Sequence, residues 1–169
     1  MKFELRDILR IILIIILILF AIPYLTQKEH YGLFDYVDLP FHEAGHFVFG
    51  IFGLFIGILG GTLGQLTLPV GFLIYFGLIK KDHTGACFSV FWLGQNFINI
   101  SVYMADAITQ KLNLVGGDIH DWSYLCAELK WATKIDTYAS FVHYLGILIM
   151  LAGIVLLTLI TIQDIQKNK

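Results

Sequence analysis

Charged side chains are scarce in this sequence of 169 residues, where Asp, Glu, Lys and Arg together make up 14% of the chain. Soluble domains carry about 25% charged residues, whereas here 57% of the residues are hydrophobic and the mean hydropathy is +0.76. So few polar side chains cannot cover a water-facing surface of this size. The composition therefore excludes an ordinary soluble enzyme and a disordered chain, and predicts an integral membrane protein with little mass outside the bilayer.

Cysteines and clustered basic residues are also sparse. Cys87 and Cys126 are too few for a disulfide scaffold and lack metal-type spacing, so we interpret both as incidental thiols. The net charge is −2, and no basic patch with interleaved aromatic residues occurs, which argues against a nucleic-acid partner. The length predicts a single membrane-embedded domain, residues 1–169, without a separate soluble module.

Long apolar runs dominate what is present, and they predict an all-α polytopic membrane protein. Four transmembrane helices are expected, over residues 8–25, 41–59, 86–110 and 136–163. The segment 62–79 contains Pro69, three glycines and a β-prone ending, which predicts a re-entrant or β-hairpin element; the alternative is a fifth transmembrane helix. A polar outer segment, residues 111–134, precedes the last helix.

Basic residues predict the orientation of these helices. Three of them precede the first apolar run, two follow segment 62–79 as Lys80 and Lys81, and the C-terminal tail is basic as well. If segment 62–79 is re-entrant, all of these groups lie on the cytoplasmic side, as the positive-inside rule requires. The four-span arrangement therefore predicts cytoplasmic N- and C-termini, whereas five spans would move Lys80, Lys81 and the tail outside.

The motif His42-Glu43-Ala44-Gly45-His46 stands at the start of the second predicted helix. Residues i and i+4 share a helix face, so the two imidazoles can hold one Zn²⁺ ion, and Glu43 can serve as general base for a metal-activated water. The alternative is two interfacial histidines beside a helix-start carboxylate. A polar cluster leading into a lipid-spanning helix is costly, which favours the metal site.

Catalytic zinc sites usually include a third protein ligand. The third predicted helix carries a polar stripe that would face the bundle interior and that favours Asp106 as this ligand; its members are Gln95, Asn96, Asn99, Tyr103 and Asp106. The outer tract GGDIHDW, residues 116–122, offers His120 or Asp121 instead, or forms a lid. A Gly-Gly turn before an interfacial helix is the alternative for that tract. Further candidates for contacts to substrate or to a ligand are Gln95, Asn99, Tyr103, His120 and Asp121.

The tract HEAGH in a membrane helix, followed by a Gly-rich embedded segment and a helix with Asn99 and Asp106, resembles the site-2 protease group of intramembrane metalloproteases. The tracts WLGQN, YMADA and GGDIHDW also resemble a set of bacterial membrane proteins of this architecture. The resemblance covers residues 41–122. It implies that His42, His46 and Asp106 hold Zn²⁺, that Glu43 is the base, and that segment 62–79 is an embedded hairpin. It also implies a bacterial plasma membrane.

These expectations favour a zinc-dependent intramembrane or membrane-interface endopeptidase. Its partners would be membrane lipid and a membrane-spanning or membrane-adjacent peptide substrate. The first alternative is a non-proteolytic metal-binding membrane protein that keeps the motif. A di-iron oxidase would need more clustered histidines than the six in the chain, and a structural membrane protein with a chance motif would lose nothing on mutation of His46.

Overall fold

The computed structural model describes residues 4–27, 29–112 and 119–168. Over these residues the chain is helical and contains no β-strand, which confirms the all-α class. The described α-helices are α1 (Leu5–Thr26), α2 (Leu33–Gly50), α3 (Leu54–Ile74), α4 (His83–Ala105), α5 (Asp121–Glu128) and α6 (Ile135–Lys167). A π-helix, Tyr75–Lys80, directly follows α3.

Three of the described helical segments are long and apolar enough to cross a membrane: Leu5–Thr26, Leu54–Lys80 and Ile135–Lys167. Large apolar side chains such as Leu19 and Leu148 are 61% and 67% exposed on these helices, which suits lipid rather than water. The helices therefore indicate a membrane protein. The predicted count of four spans is not confirmed, because neither α2 nor α4 is among the three segments.

The segment 62–79 lies within the helical stretch Leu54–Lys80, so the β-hairpin form of its prediction is wrong. A helix satisfies its backbone hydrogen bonds within itself, which an apolar segment in lipid requires. This requirement overrides the local β propensity of residues 72–79, because strand propensity depends strongly on context. Pro69 is buried inside α3 and does not end it.

The predicted span 41–59 is divided between α2 and α3. The chain reverses at Gly53, whose φ of +103° lies in the region that favours glycine. α2 begins at Leu33, eight residues before the predicted start at residue 41, so Pro40 lies inside the helix. The two helices pack closely, since a Cβ on Gly45 would collide with the carbonyl of Gly60 and lie 2.9 Å from the Cα of Gly64.

The remaining helix boundaries are shifted by a few residues. α4 begins at His83 because the carboxylate of Asp82 accepts a hydrogen bond from the Thr84 amide at 3.0 Å. It ends at Ala105, before the predicted residue 110. α6 starts at Ile135, one residue before the predicted start, and Asp136 lies in its first turn.

Arg10 ties three helix ends together. Its Nη1 donates to Asp164 Oδ2 and its Nε donates to Thr84 Oγ1, each at 2.8 Å. The N-terminal end of α1, the start of α4 and the C-terminal end of α6 therefore lie at the same end of the molecule. The C-terminal end of α4 points the opposite way, and the candidate site is found near that end.

Candidate metal centre

His42, His46 and Asp121 come together between α2, α3 and the start of α5. The Nε2 atoms of His42 and His46 lie 2.9 and 3.3 Å from Asp121 Oδ2. Each of these side chains offers one potential metal-ligand atom, and the three atoms lie within 4.8 Å of one another. The histidines are one turn apart on α2, and Asp121 is the first residue of α5.

The hydrogen bonds on the far side of each ring determine which nitrogen carries the proton. His42 Nδ1 lies 2.9 Å from Gln65 Oε1, and His46 Nδ1 lies 2.9 Å from the Gly57 carbonyl oxygen. A carbonyl oxygen only accepts, so each Nδ1 donates a hydrogen bond and each Nε2 is the ring nitrogen that faces Asp121. Three potential ligand atoms thus converge on one point between α2, α3 and α5.

Gly61 leaves the space that the two rings need. A Cβ at this position of α3 would lie 2.5 Å from His42 Nε2 and 2.6 Å from His46 Nε2. The absence of a side chain therefore keeps open the point at which the Nε2 atoms meet. This opening, together with the two imidazoles and the carboxylate, fits the donor set of a zinc ion.

Asp106 faces away from the His42–His46 pair. Its oxygens accept hydrogen bonds from Thr109 Oγ1 at 2.6 Å and from the amides of Lys111 and Leu112 at 2.8 and 2.9 Å. Burial alone would raise the pKa of Asp106, but these donors outweigh it and the pKa is lowered. Of the three carboxylate or imidazole candidates for the third ligand, the structure brings Asp121 to the histidines and not Asp106.

His120 holds α5 in place. Its Nδ1 accepts a hydrogen bond from the Ser123 amide at 3.2 Å, so the proton is on Nε2, which donates to Asp106 Oδ2 at 3.3 Å. Its ring lies against Tyr103, with 4.3 Å between the ring centroids. The hydroxyl of Tyr103 accepts from the Asp121 amide at 3.2 Å. His120, Asp106 and Tyr103 therefore position the carboxylate of Asp121.

Glu43 lies in the wall of a cavity of about 430 Å³ next to the histidines. The cavity is also lined by His42, Tyr103 and Asn99, and the Glu43 side chain is half-buried. The general base predicted from the motif therefore faces the same space as one of the two imidazoles. A substrate in this cavity would lie beside both.

Asn99 and Gln95 contact a buried carboxylate rather than the histidine pair. Asp35 Oδ1 accepts from Gln95 Nε2 at 2.6 Å and from Asn99 Nδ2 at 2.7 Å. Asp38 accepts from Trp92 Nε1 at 3.0 Å and from Asn96 Nδ2 at 2.9 Å. Both aspartates are 2% exposed.

Sequence reasoning missed Asp35, Asp38 and Gln65 as parts of the site. Asp35 and Asp38 lie before residue 41, where the predicted helix began, although α2 begins at Leu33. The signal that could have found them is their spacing, since residues 35, 38 and 42 follow one another by three and four positions on one helix face. Removal from water raises the pKa of Asp38 to about 7, although hydrogen bonds from Asn96 and Trp92 oppose this.

The other histidines lie elsewhere. His143 Nδ1 is 3.1 Å from Ser101 Oγ, and the ring of His30 meets that of Tyr24 edge to face. His83 is the first residue of α4. Asp118 and the preceding glycines of the GGDIHDW tract lie outside the described residues.

Comparison with protein-family models, with curated proteins and with solved structures gives no match. The resemblance to site-2 proteases therefore depends on the motifs of the chain, and the functional argument depends on the geometry of the site.

Proposed function

We propose that this chain is a zinc-dependent membrane metallopeptidase. The observation that carries the proposal is the convergence of three potential ligand atoms, from His42, His46 and Asp121, beside Glu43 and an open cavity. Three protein ligands with one position left for water are typical of catalytic zinc sites. Asp121 takes the place that the sequence assigned to Asp106.

The residues around the cavity have distinct parts in peptide hydrolysis. Zinc bound to the three side chains supplies Lewis acidity, which activates water and polarises a peptide carbonyl. Glu43 accepts the proton of the water and delivers it to the nitrogen of the leaving amine. Asn99 lines the cavity, but both ends of its amide are already hydrogen-bonded, so it orients neighbouring side chains instead of the substrate.

The surroundings of the site suggest the substrate class. The histidine pair sits between helices whose outer surfaces are apolar, so a peptide in or next to the membrane would reach it most readily. We propose an integral protein of a bacterial plasma membrane, with both termini cytoplasmic and the zinc site towards the opposite face. The common location of the α1 start and the α6 end supports this arrangement.

Zinc content tests the ligand set. Detergent-purified wild type, His46→Ala, Asp121→Asn and Asp106→Asn would be compared by elemental analysis after dialysis against zinc. We expect about one zinc per chain in the wild type, loss in His46→Ala and Asp121→Asn, and retention in Asp106→Asn. Retention in Asp121→Asn together with loss in Asp106→Asn would move the third ligand back to Asp106.

Glu43→Gln separates hydrolysis from metal binding. We expect this variant to keep its zinc and to lose cleavage by a factor of about 10²–10⁴, because only the proton acceptor is removed. The assay uses membrane-spanning peptides incorporated with the protein into lipid vesicles, and new N-termini are identified by mass spectrometry. Zinc binding without any cleavage by the wild type would favour a non-proteolytic metal-binding protein, and no zinc in the wild type would overturn the proposal.

A further inference from the structure

The two histidines of the metal centre differ in what accepts their Nδ1 protons. His46 faces a backbone carbonyl, which has no donor to offer. His42 faces the side-chain amide of Gln65, and an amide can turn either its oxygen or its NH₂ group towards the ring. Gln65 by itself therefore does not decide which nitrogen of His42 carries the proton.

Two asparagines on α4 determine the orientation of the Gln65 amide. Gln65 Nε2 donates to Asn96 Oδ1 and to Asn99 Oδ1, each at 3.2 Å. With its NH₂ group used in this way, Gln65 must present its oxygen to His42. The orientation of the Gln65 amide therefore depends on the orientation of the two asparagine amides.

The two asparagines are oriented by two buried carboxylates. Asn96 Nδ2 donates to Asp38 Oδ2 at 2.9 Å, and Asn99 Nδ2 donates to Asp35 Oδ1 at 2.7 Å. In their ionised form both carboxylates only accept, so neither asparagine can then reverse without placing an oxygen against an oxygen. The NH₂ groups therefore point to the aspartates and the amide oxygens point to Gln65.

We infer that Asp35 and Asp38 are positioning residues that act through Asn99, Asn96 and Gln65 to keep the Gln65 oxygen on His42 Nδ1, so that Nδ1 carries a proton and Nε2 is the nitrogen that faces the metal position. The purpose of this arrangement rests on the proposed function. The location of the proton is a property of the metal-free chain and can be measured without metal or substrate. Hydrogen-bond partners of ligating histidines commonly change metal affinity 10- to 100-fold.

Replacing both aspartates by asparagine should reverse the whole chain of amides. The Gly32 amide and Trp92 Nε1 can only donate, and they contact the carboxylates at 2.6 and 3.0 Å. Each new asparagine must therefore turn its oxygen to that donor and its NH₂ group to Asn99 or Asn96. Asn99 would flip together with Gln95, which also donates to Asp35 Oδ1 at 2.6 Å. Asn96 would flip and give up its longer hydrogen bond to the Trp92 carbonyl oxygen at 3.3 Å. Gln65 would flip in turn, and its NH₂ group would face His42.

In Asp35→Asn/Asp38→Asn the proton of His42 should consequently move to Nε2, where Asp121 accepts it. The substitutions are isosteric, so the packing of α2 against α4 is retained. Adding Gln65→Glu should reverse the effect. A glutamate accepts from the flipped asparagines and from His42 Nδ1, which returns the proton to Nδ1. If the aspartates contributed only to packing, the Gln65→Glu substitution would not restore the proton to His42 Nδ1.

The experiment records ¹⁵N NMR spectra of metal-free protein in detergent at pH 8.5, with ¹⁵N-labelled histidine. Resonances are assigned from His42→Gln and His46→Gln spectra. We expect a protonated His42 Nδ1 in the wild type, an unprotonated one in the double variant, and a protonated one in the triple variant. His46 is the internal control and should not change. Zinc affinity, measured by competition with a chromogenic chelator, should fall about 10- to 100-fold in the double variant and recover in the triple variant.

If the double variant fails to fold, the single variants Asp35→Asn and Asp38→Asn provide the same test. Each should reverse one of the two amides that hold Gln65 and produce an intermediate shift. A His42 Nδ1 that stays protonated in all folded variants would overturn the inference even if zinc binds. If the variants show the expected proton shift but the wild type binds no zinc, the proposed function is contradicted and the positioning role stays intact.

Discussion

Gly61 and Gly71 lie on the same helix but differ in their surroundings. A Cβ on Gly61 would enter the space between the histidine Nε2 atoms, whereas no atom lies within 4 Å of a Cβ on Gly71. We expect Gly61→Ala to abolish stoichiometric zinc binding while the protein still folds, because flexible ring ends can move aside. Gly71→Ala is the matched control and should bind zinc normally. Elemental analysis and circular dichroism measure both quantities, and equal zinc content in the two variants would contradict the prediction.

Asp38 should make stability depend on pH. Its folded-state pKa of about 7 exceeds the ordinary value of 3.8, so between these values the folded chain binds more protons than the unfolded chain. Stability must then fall as pH rises through this window. We expect the unfolding midpoint to decrease from pH 4 to pH 7 less steeply in Asp38→Asn than in the wild type. Thermal unfolding in detergent provides the comparison, and identical slopes would show that Asp38 ionises normally.

Helices α2 and α3 form a pair whose spacing is set by small residues. Gly45 contacts Gly60 and Gly64 so closely that even a methyl group has no room, while a Cβ on Gly50 would meet no atom within 4 Å. We expect Gly45→Ala to lower the free energy of unfolding by about 1–3 kcal/mol and Gly50→Ala to change it much less. Chemical unfolding in detergent tests this. Helix propensity favours alanine over glycine at both positions, so an equal change in the two variants would contradict crowding at Gly45.

The short helix α5 illustrates why the third ligand was difficult to predict. Asp106 belongs to the periodic stripe on α4, which local spacing reveals, but the loop amides of residues 111 and 112 occupy its oxygens. Asp121 follows a loop, and its position depends on the contacts of His120 with Asp106 and Tyr103. These contacts join segments that are distant in sequence. No pattern within either segment therefore shows that Asp121 is the ligand and that Asp106 only positions it.

At the scale of the whole molecule, the helix ends predict which loops share a side of the membrane. Arg10 brings the starts of α1 and α4 to the end of α6, and α6 is 33 residues long. We expect Lys80→Cys and Lys167→Cys to react with an impermeant maleimide from one side of sealed vesicles and Lys130→Cys from the other. The native cysteines are buried and should give little background. Labelling of positions 80 and 167 from opposite sides would contradict this arrangement.

The sequence by itself determined the class of the protein and the central part of its site. Apolar composition and run length are properties of the chain, so a helical membrane protein follows from them without a structure. The pairing of His42 with His46 follows equally, because residues four apart share a face of any helix. Neither inference needs to know where another segment lies.

The tertiary structure decided what completes and supports that pair. Segment 62–79 became part of a helix because lipid and the α2 contact outweigh local β preference, and Gly61 and Gly57 on α3 supply space and a carbonyl to the histidines. Gln65 lies 23 residues from His42 and Asp121 lies 79 residues from it. Contacts across such separations depend on how whole helices pack. Helix packing results from many side-chain contacts together, and the spacing of residues within one segment does not determine it.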